Sequence, residues 1–141
     1  MPELNGAIDA TYRYYHDTFG TTANTVDLAW FQHVGEKMIL RPGVRLYAQS
    51  SANFYYYNLD QTTITPVSGP PRVLGPYYSS DYRLSEFQSF NYGLKVIWKA
   101  TERLDFDVAL EHYDMRGTDR LTPQSAYPRA RVITVGGKFS W

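Results

Sequence analysis

From Ser89 to Ala100 the chain alternates. Phe90, Tyr92, Leu94, Val96, Trp98 and Ala100 take every second position, and Ser89, Asn91, Gly93, Lys95, Ile97 and Lys99 stand between them. Successive side chains of a strand point to opposite faces, so this period of two predicts a strand with two unlike faces. The next segment repeats it, with Leu104, Phe106, Val108 and Leu110 set against Arg103, Asp105, Asp107, Ala109 and Glu111. Only Thr101–Glu102 separates the two runs, which predicts a tight hairpin. Four other segments alternate likewise. Ile8, Ala10, Tyr12 and Tyr14 interleave with Asp9, Thr11, Arg13 and Tyr15. Val26, Leu28 and Trp30 interleave with Thr25, Asp27, Ala29 and Phe31, where the second face is less polar. Met38, Leu40, Val44, Leu46 and Ala48 interleave with Arg41, Gly43, Arg45, Tyr47 and Gln49, and Ile133, Val135, Phe139 and Trp141 with Val132, Thr134, Gly136, Lys138 and Ser140. No segment sustains a helical repeat. The pattern predicts an all-β chain of six strands, near 6–17, 22–34, 38–56, 84–100, 103–115 and 130–141, in one domain over 1–141. Pro42 removes a ladder donor from the third strand. The turn before it is placed at Gly35–Lys37 rather than at Pro42–Gly43, because that leaves strands two and three of matching length.

Composition narrows the setting. The 14 Lys and Arg balance the 14 Asp and Glu among 141 residues, which gives no support to nucleic-acid binding. No apolar run approaches the roughly 18 residues of a membrane helix. With no cysteine there is no disulfide framework. The start, MPELNGAIDA, lacks the charged head and apolar core of a secretory signal. Aromatic content is high, with 13 Tyr, 7 Phe and 3 Trp. Amphipathic rings at this density suit a surface that is dry at one end and wet at the other, such as a binding face or the headgroup level of a bilayer.

A soluble sandwich or small barrel would bury the apolar face under a second layer. Three features predict the opposite arrangement, a transmembrane barrel with a polar interior. The polar face carries both signs of charge at close quarters: Asp9, Arg13, Asp27, Arg41, Arg45, Lys95, Lys99, Arg103, Asp105, Asp107, Glu111 and Lys138. Such a mixture suits a water-filled lumen. Short connections alternate with long ones (His16–Ala23, Tyr57–Leu84, Arg116–Pro128), as tight turns and longer loops do in membrane barrels. Finally, Trp30, Trp98 and Trp141 lie on the apolar face towards one end of alternate strands, an expected interfacial ring, with Tyr12, Tyr14, Phe90 and Tyr92 as a second ring at the other end.

The last segment, with Ile133, Val135, Phe139 and Trp141 at alternate positions and Gly137 as the small exception, resembles the C-terminal signature of bacterial outer-membrane proteins. That resemblance implies recognition by the barrel-assembly machinery. A wider likeness rests on Tyr12-Arg13-Tyr14-Tyr15 with Asp17, Ile39-Leu40-Arg41-Pro42, Arg45 to Ser50, Ala52-Asn53-Phe54-Tyr55, and Ser80 to Ser85. These segments resemble the C-terminal portion of a family of bacterial outer-membrane β-barrels of unknown function, whose members are longer and carry a signal peptide. Asn53 stands where an acidic residue is expected. The family lends no catalytic residues. Six strands fall short of the eight of the smallest single-chain membrane barrels, and open edges in lipid are heavily penalised. The expectation is therefore the six-stranded C-terminal portion of a larger antiparallel up-and-down barrel, or one of several copies that close a barrel together.

Candidate chemistry is sparse. His16, His33 and His112 fall on different strands without zinc-site spacing. Asp60, Asp114 and Asp119, read as loop residues, lack the spacing of a calcium loop. No G-x-S-x-G occurs, although His112 belongs to the apolar register, where a lipid-facing enzyme would place it. No phosphate-binding glycine loop is present. No enzyme activity, metal or cofactor is expected. The inward charges either fill and rigidify the lumen or tune which small solute passes, and Arg41, Arg45, Lys99 and Arg103 towards one end hint at anion preference. The segment Tyr57–Leu84 either enters the lumen as a constriction or displays Tyr77, Tyr78 and Tyr82 outward. The sequence thus predicts an integral outer-membrane barrel in contact with lipid, porin-like or solute-transporting. Alternatives are a non-conducting barrel that scaffolds a periplasmic or surface partner, and a lipid-facing enzyme.

Overall fold

The computed structural model describes residues 5–57, 59 and 78–141. Six strands follow one another: β1 (Gly6–His16), β2 (Thr22–Val34), β3 (Met38–Gln49), β4 (Phe87–Lys99), β5 (Leu104–Gly117) and β6 (Arg129–Phe139). They form one antiparallel up-and-down sheet in the order β1-β2-β3-β4-β5-β6. The sheet is open, with β1 and β6 as its edges. Residues 35–37 and 100–103 make the short turns, which define the lower end here. Gly35, at φ +62°, supplies the left-handed backbone that the first of them needs. β3 runs unbroken through Pro42, so the alternative turn at Pro42–Gly43 is not used.

The register carries the alternation from strand to strand. Leu40, Val96, Val108 and Val135 share one cross-strand row. Leu94, Leu110 and Ile133 share the next, and Leu28, Val44 and Tyr92 the one above that. Even positions of β1 to β5 and odd positions of β6 therefore form one apolar face. The opposite register collects the charges.

The two faces are buried in the inverse of the usual order. Along β4 and β5 the apolar positions Phe90, Tyr92, Leu94, Trp98, Phe106, Val108 and Leu110 are exposed, while Asn91, Gly93, Lys95, Ile97, Asp107 and Ala109 between them are half-buried. Leu110 is 55% exposed, Ile133 71% and Val135 74%. In the middle of β4 and β5 the ionic register is the more sheltered one.

Among the described residues, the buried apolar ones gather at the upper end. Phe87, Met115 and Tyr127 form a cluster against which Tyr47, Tyr82 and Tyr113 pack. Each large side chain buried there contributes about 1.5–3 kcal/mol. The loops 50–57, 78–86 and 118–128 supply the rest, with Ala52, Tyr55 and Tyr56 buried in the first of them.

Two strand limits differ from the alternation by three residues or more. β3 ends at Gln49 rather than near 56, because Ser50 donates its N–H to Thr22 O and Ala52 to Leu84 O, which turns the chain in over the sheet. β4 begins at Phe87 rather than at 84, because Tyr82–Leu84 form a short 3-10 turn capped by the Asp81 carboxylate. A second such turn spans Gln124–Ala126.

Candidate functional site: an ionic face under an aromatic cap

The ionic face begins one row below the cap. Asp27 and Arg45 are register partners on β2 and β3, and Arg45 Nε donates to Asp27 Oδ1 at 2.5 Å. Lys95 Nζ reaches diagonally from β4 to Asp107 Oδ2 on β5 at 2.9 Å, with their side chains 35% and 23% exposed. Lower still, Lys99, Asp105 and Lys138 share one row across β4, β5 and β6. Opposite charges on neighbouring strands support the sheet by a few tenths of a kcal/mol per pair, about 0.2–1. The Arg41 guanidinium instead lies over the Phe31 ring, 5.1 Å from its centroid.

Between these charges runs a trough of about 230 Å³, lined by Asp9, Asp27, Arg41, Arg45, Lys95 and Glu111. Its floor is glycine backbone, because Gly43 faces Gly93 across β3 and β4, with Ala29 beyond Gly43 and Glu111 beyond Gly93 in the same row. Gly93 has no room for a side chain, since a Cβ there would stand 2.5 Å from Leu110 O. Strands that carry long charges elsewhere thus leave a hollow where solvent or a small polar solute fits.

The cap stands above the upper end of that hollow. The Tyr127 ring rests on Gly117, where a Cβ would come within 2.4 Å of it. Tyr127 also meets Phe87 at 6.3 Å and, edge-on, Tyr82 at 5.7 Å between ring centroids. Ser85, fully buried, donates to Tyr82 O at 2.5 Å, so its contact of 2.6 Å with the Tyr127 hydroxyl is one in which Tyr127 donates. Gln49 pins this arrangement to β3. Its Nε2 donates to Arg83 O and Ser85 O, both at 2.9 Å, and its Oε1 accepts from the Tyr47 hydroxyl at 2.6 Å. The β5–β6 loop joins in, because Tyr55 shares a hydroxyl contact of 2.6 Å with Thr122, and Thr122 donates to Asp119. Burial pushes the Tyr55 phenol above its ordinary value, and the hydrogen bond to Thr122 opposes this. On the cap's rim the Arg83 guanidinium holds Asp81 below the usual carboxylate range.

Of the charges read from the sequence, Asp9, Arg13, Asp27, Arg41, Arg45, Lys95, Lys99, Asp105, Asp107, Glu111 and Lys138 share the ionic register. Arg103 lies in the turn before β5. The tryptophans do not share a row. Val34, Met38, Trp98, Phe106 and Gly137 are aligned across the sheet, with Trp30 four residues above that row and Trp141 four residues below it. They follow an oblique line. Tyr12 and Phe90 do share a row, with Val26 and Leu46 between them. Tyr92 sits one row lower and Tyr14 one row higher. Ile133, Val135 and Gly137 pair with Leu110, Val108 and Phe106, and Phe139 with Leu104.

Asp114 lies within β5, not in a loop. His112 has Tyr92 and Arg131 as register neighbours, and no serine adjoins it among the described residues. No cluster of three or more His, Asp or Glu suited to a metal occurs among the described residues. In the segment Tyr57–Leu84, Tyr82 packs inward on the cap and Tyr78 meets Tyr56 edge-on at 6.0 Å. Tyr77 and Asp60 lie outside the described residues.

The sequence reading missed the cap. Its signal was there: Ala23, Tyr47, Phe87, Tyr113 and Met115 place apolar groups in the polar register, and all do so at the upper strand ends. These features define a meandering antiparallel sheet with one exposed apolar face and one ionic face closed at a single end. The chain belongs to a protein family of unknown function (DUF3570), whose sequence profile matches residues 1–131. No similar curated protein and no similar solved structure matches it.

Proposed function

We propose that this sheet is part of an integral outer-membrane β-barrel, with the apolar face against lipid and the ionic face around a lumen that admits small polar or ionic solutes. The inverted burial carries this reading: hydrocarbon side chains stand exposed while Lys95 and Asp107 on the other face are sheltered. In water that order is unfavourable by about 25 cal/mol per Å² of apolar surface left uncovered. Against acyl chains it is the favourable one.

The outline of the apolar face supports the same reading. Its upper limit falls from Tyr14 on β1 and Val26 on β2 to Leu110 on β5 and Ile133 on β6. Its lower limit falls from Val34 on β2 to Leu104 on β5 and Phe139 on β6. A slab of constant height cut across tilted strands has this slanted outline, and membrane strands tilt by about 35–45°. Further strands pair with the edges of β1 and β6, since open edges are not tolerated in lipid.

The cap favours a second reading, a barrel sealed at its loop end that holds a partner rather than passing solute. Conductance of the full-length protein in planar bilayers separates the two. Open-channel steps in the wild type support the porin-like reading. A silent wild type that conducts only after Tyr127→Ala supports the sealed barrel. If the protein fails to insert at all, both readings fall.

A further inference from the structure

On the apolar face one corner is ionic. Asp114 on β5 pairs in register with Phe90 on one side and Arg129 on the other, and Arg116 follows two residues on, all in the apolar register. Arg116 donates from Nε at 2.8 Å and from Nη2 at 2.5 Å to Asp114 Oδ2, and Arg129 Nε lies 2.7 Å from Asp114 Oδ1. The carboxylate is covered by its partners. Its side chain is 12% exposed and each arginine's 66%, so the outward surface of the cluster is guanidinium. Two cations on one anion leave a net positive charge, and Arg131, beside His112 one row lower, adds another.

The cluster borders a depression of about 590 Å³ whose apolar wall is Val26, Leu46 and Phe90. Charges on a lipid-facing surface are costly at mid-bilayer and nearly free at its boundary. This corner lies at the end of the sheet where the long loops are.

We infer that this corner binds the phosphorylated headgroup of an anionic lipid, with an acyl chain against Val26, Leu46 and Phe90. The inference rests on the membrane reading given above. Arginine has five N–H donors in a planar fork that matches phosphate oxygens. Asp114 accepts two hydrogen bonds from Arg116 and holds Arg129 beside it as an ion pair, which keeps both guanidinium groups at this corner and leaves most of their donors for the ligand. A zwitterionic headgroup offers a cation beside its phosphate and is the poorer match. A second copy of the same corner would bring like charges together.

The test uses the full-length protein reconstituted in phosphatidylcholine bilayers. Native mass spectrometry then compares retention of phosphatidic acid with that of phosphatidylcholine carrying the same acyl chains. Preferential retention of phosphatidic acid is expected, reduced roughly tenfold in a variant carrying both Arg116→Gln and Arg129→Gln. Unchanged far-UV β-sheet signal in that variant shows that it still folds. Equal retention of the two lipids, or undiminished preference in the double variant, overturns the inference. Quenching of Trp98 by brominated acyl chains reads insertion separately. Quenching without headgroup preference sinks this inference alone, whereas a protein that is neither quenched nor inserted sinks the membrane reading and this inference with it.

Discussion

Arginine placed along β5 separates a lipid-facing surface from a protein core. Val108 lies between Val96 and Val135 in the middle of the apolar stretch, with Leu104 four residues below and His112 four above. Eight residues of strand rise about 26 Å at ~3.3 Å each, and a tilt of about 40° shortens this to about 20 Å of depth. Val108 is thus about 10 Å in depth from Leu104 and from His112. In a bilayer, Val108→Arg costs about 2–4 kcal/mol and Leu104→Arg and His112→Arg about 0–1. The first is a loss of roughly 30- to 900-fold in the folding equilibrium. Burial ranks the sites the other way, because Leu104 and His112 are half-buried and Val108 exposed. Guanidinium unfolding of the full-length protein in phospholipid vesicles, followed by tryptophan emission, gives the three values. A largest cost at Leu104 or His112, or three costs within about 0.5 kcal/mol of zero, would refute the assignment of the apolar face to lipid.

The trough floor predicts unequal glycines: Gly93→Ala forces its Cβ to 2.5 Å from Leu110 O, whereas at Gly43 the nearest atoms are 3.5 and 3.8 Å away. Gly93→Ala should therefore lower the unfolding midpoint and weaken amide protection along β4–β5, with Gly43→Ala near wild type. Tyr127→Phe keeps the ring on Gly117 but removes the donor to buried Ser85, at a cost of about 1 kcal/mol in thermal or denaturant melts. Acid should loosen the cap rim. The folded-state pKa of Asp81 is depressed by Arg83, so its stabilisation is complete above the ordinary carboxylate value and is lost as pH falls through the lowered one. Hydrogen exchange at Arg83 N, which the Asp81 carboxylate accepts at 3.0 Å, should quicken in that acid window and not in Asp81→Asn.

The strands were legible because the side-chain period of two leaves little choice of register once one face is apolar. Sequence cannot show where a strand leaves the sheet when the same residue types continue past its end. Ser50 to Tyr56 read on as strand, yet the chain folds over at Ser50 through hydrogen bonds to Thr22 and, from Ala52, to Leu84, both distant along the chain. The ionic face was readable residue by residue, but its pairing of Asp27 with Arg45 and of Lys95 with Asp107 needed the register. Trp30, Trp98 and Trp141 stand on a slant across the rows, falling from β2 to β6 as the apolar face itself does, and that stagger shows only once the register is known. Tyr127 was hidden for a different reason, since its partner Gly117 shows only as an empty position.

Each described strand pairs only with its neighbours in chain order. Growth of the sheet can therefore proceed strand by strand, with β2–β3 and β4–β5 closing short turns and β3–β4 waiting on the longer connection between Gln49 and Phe87. The exception is the cap, where Tyr82 and Ser85 wait for Tyr127. The cap is consequently complete only once β5 and β6 have docked, and until then the upper end of the ionic face lacks its Tyr127 cover.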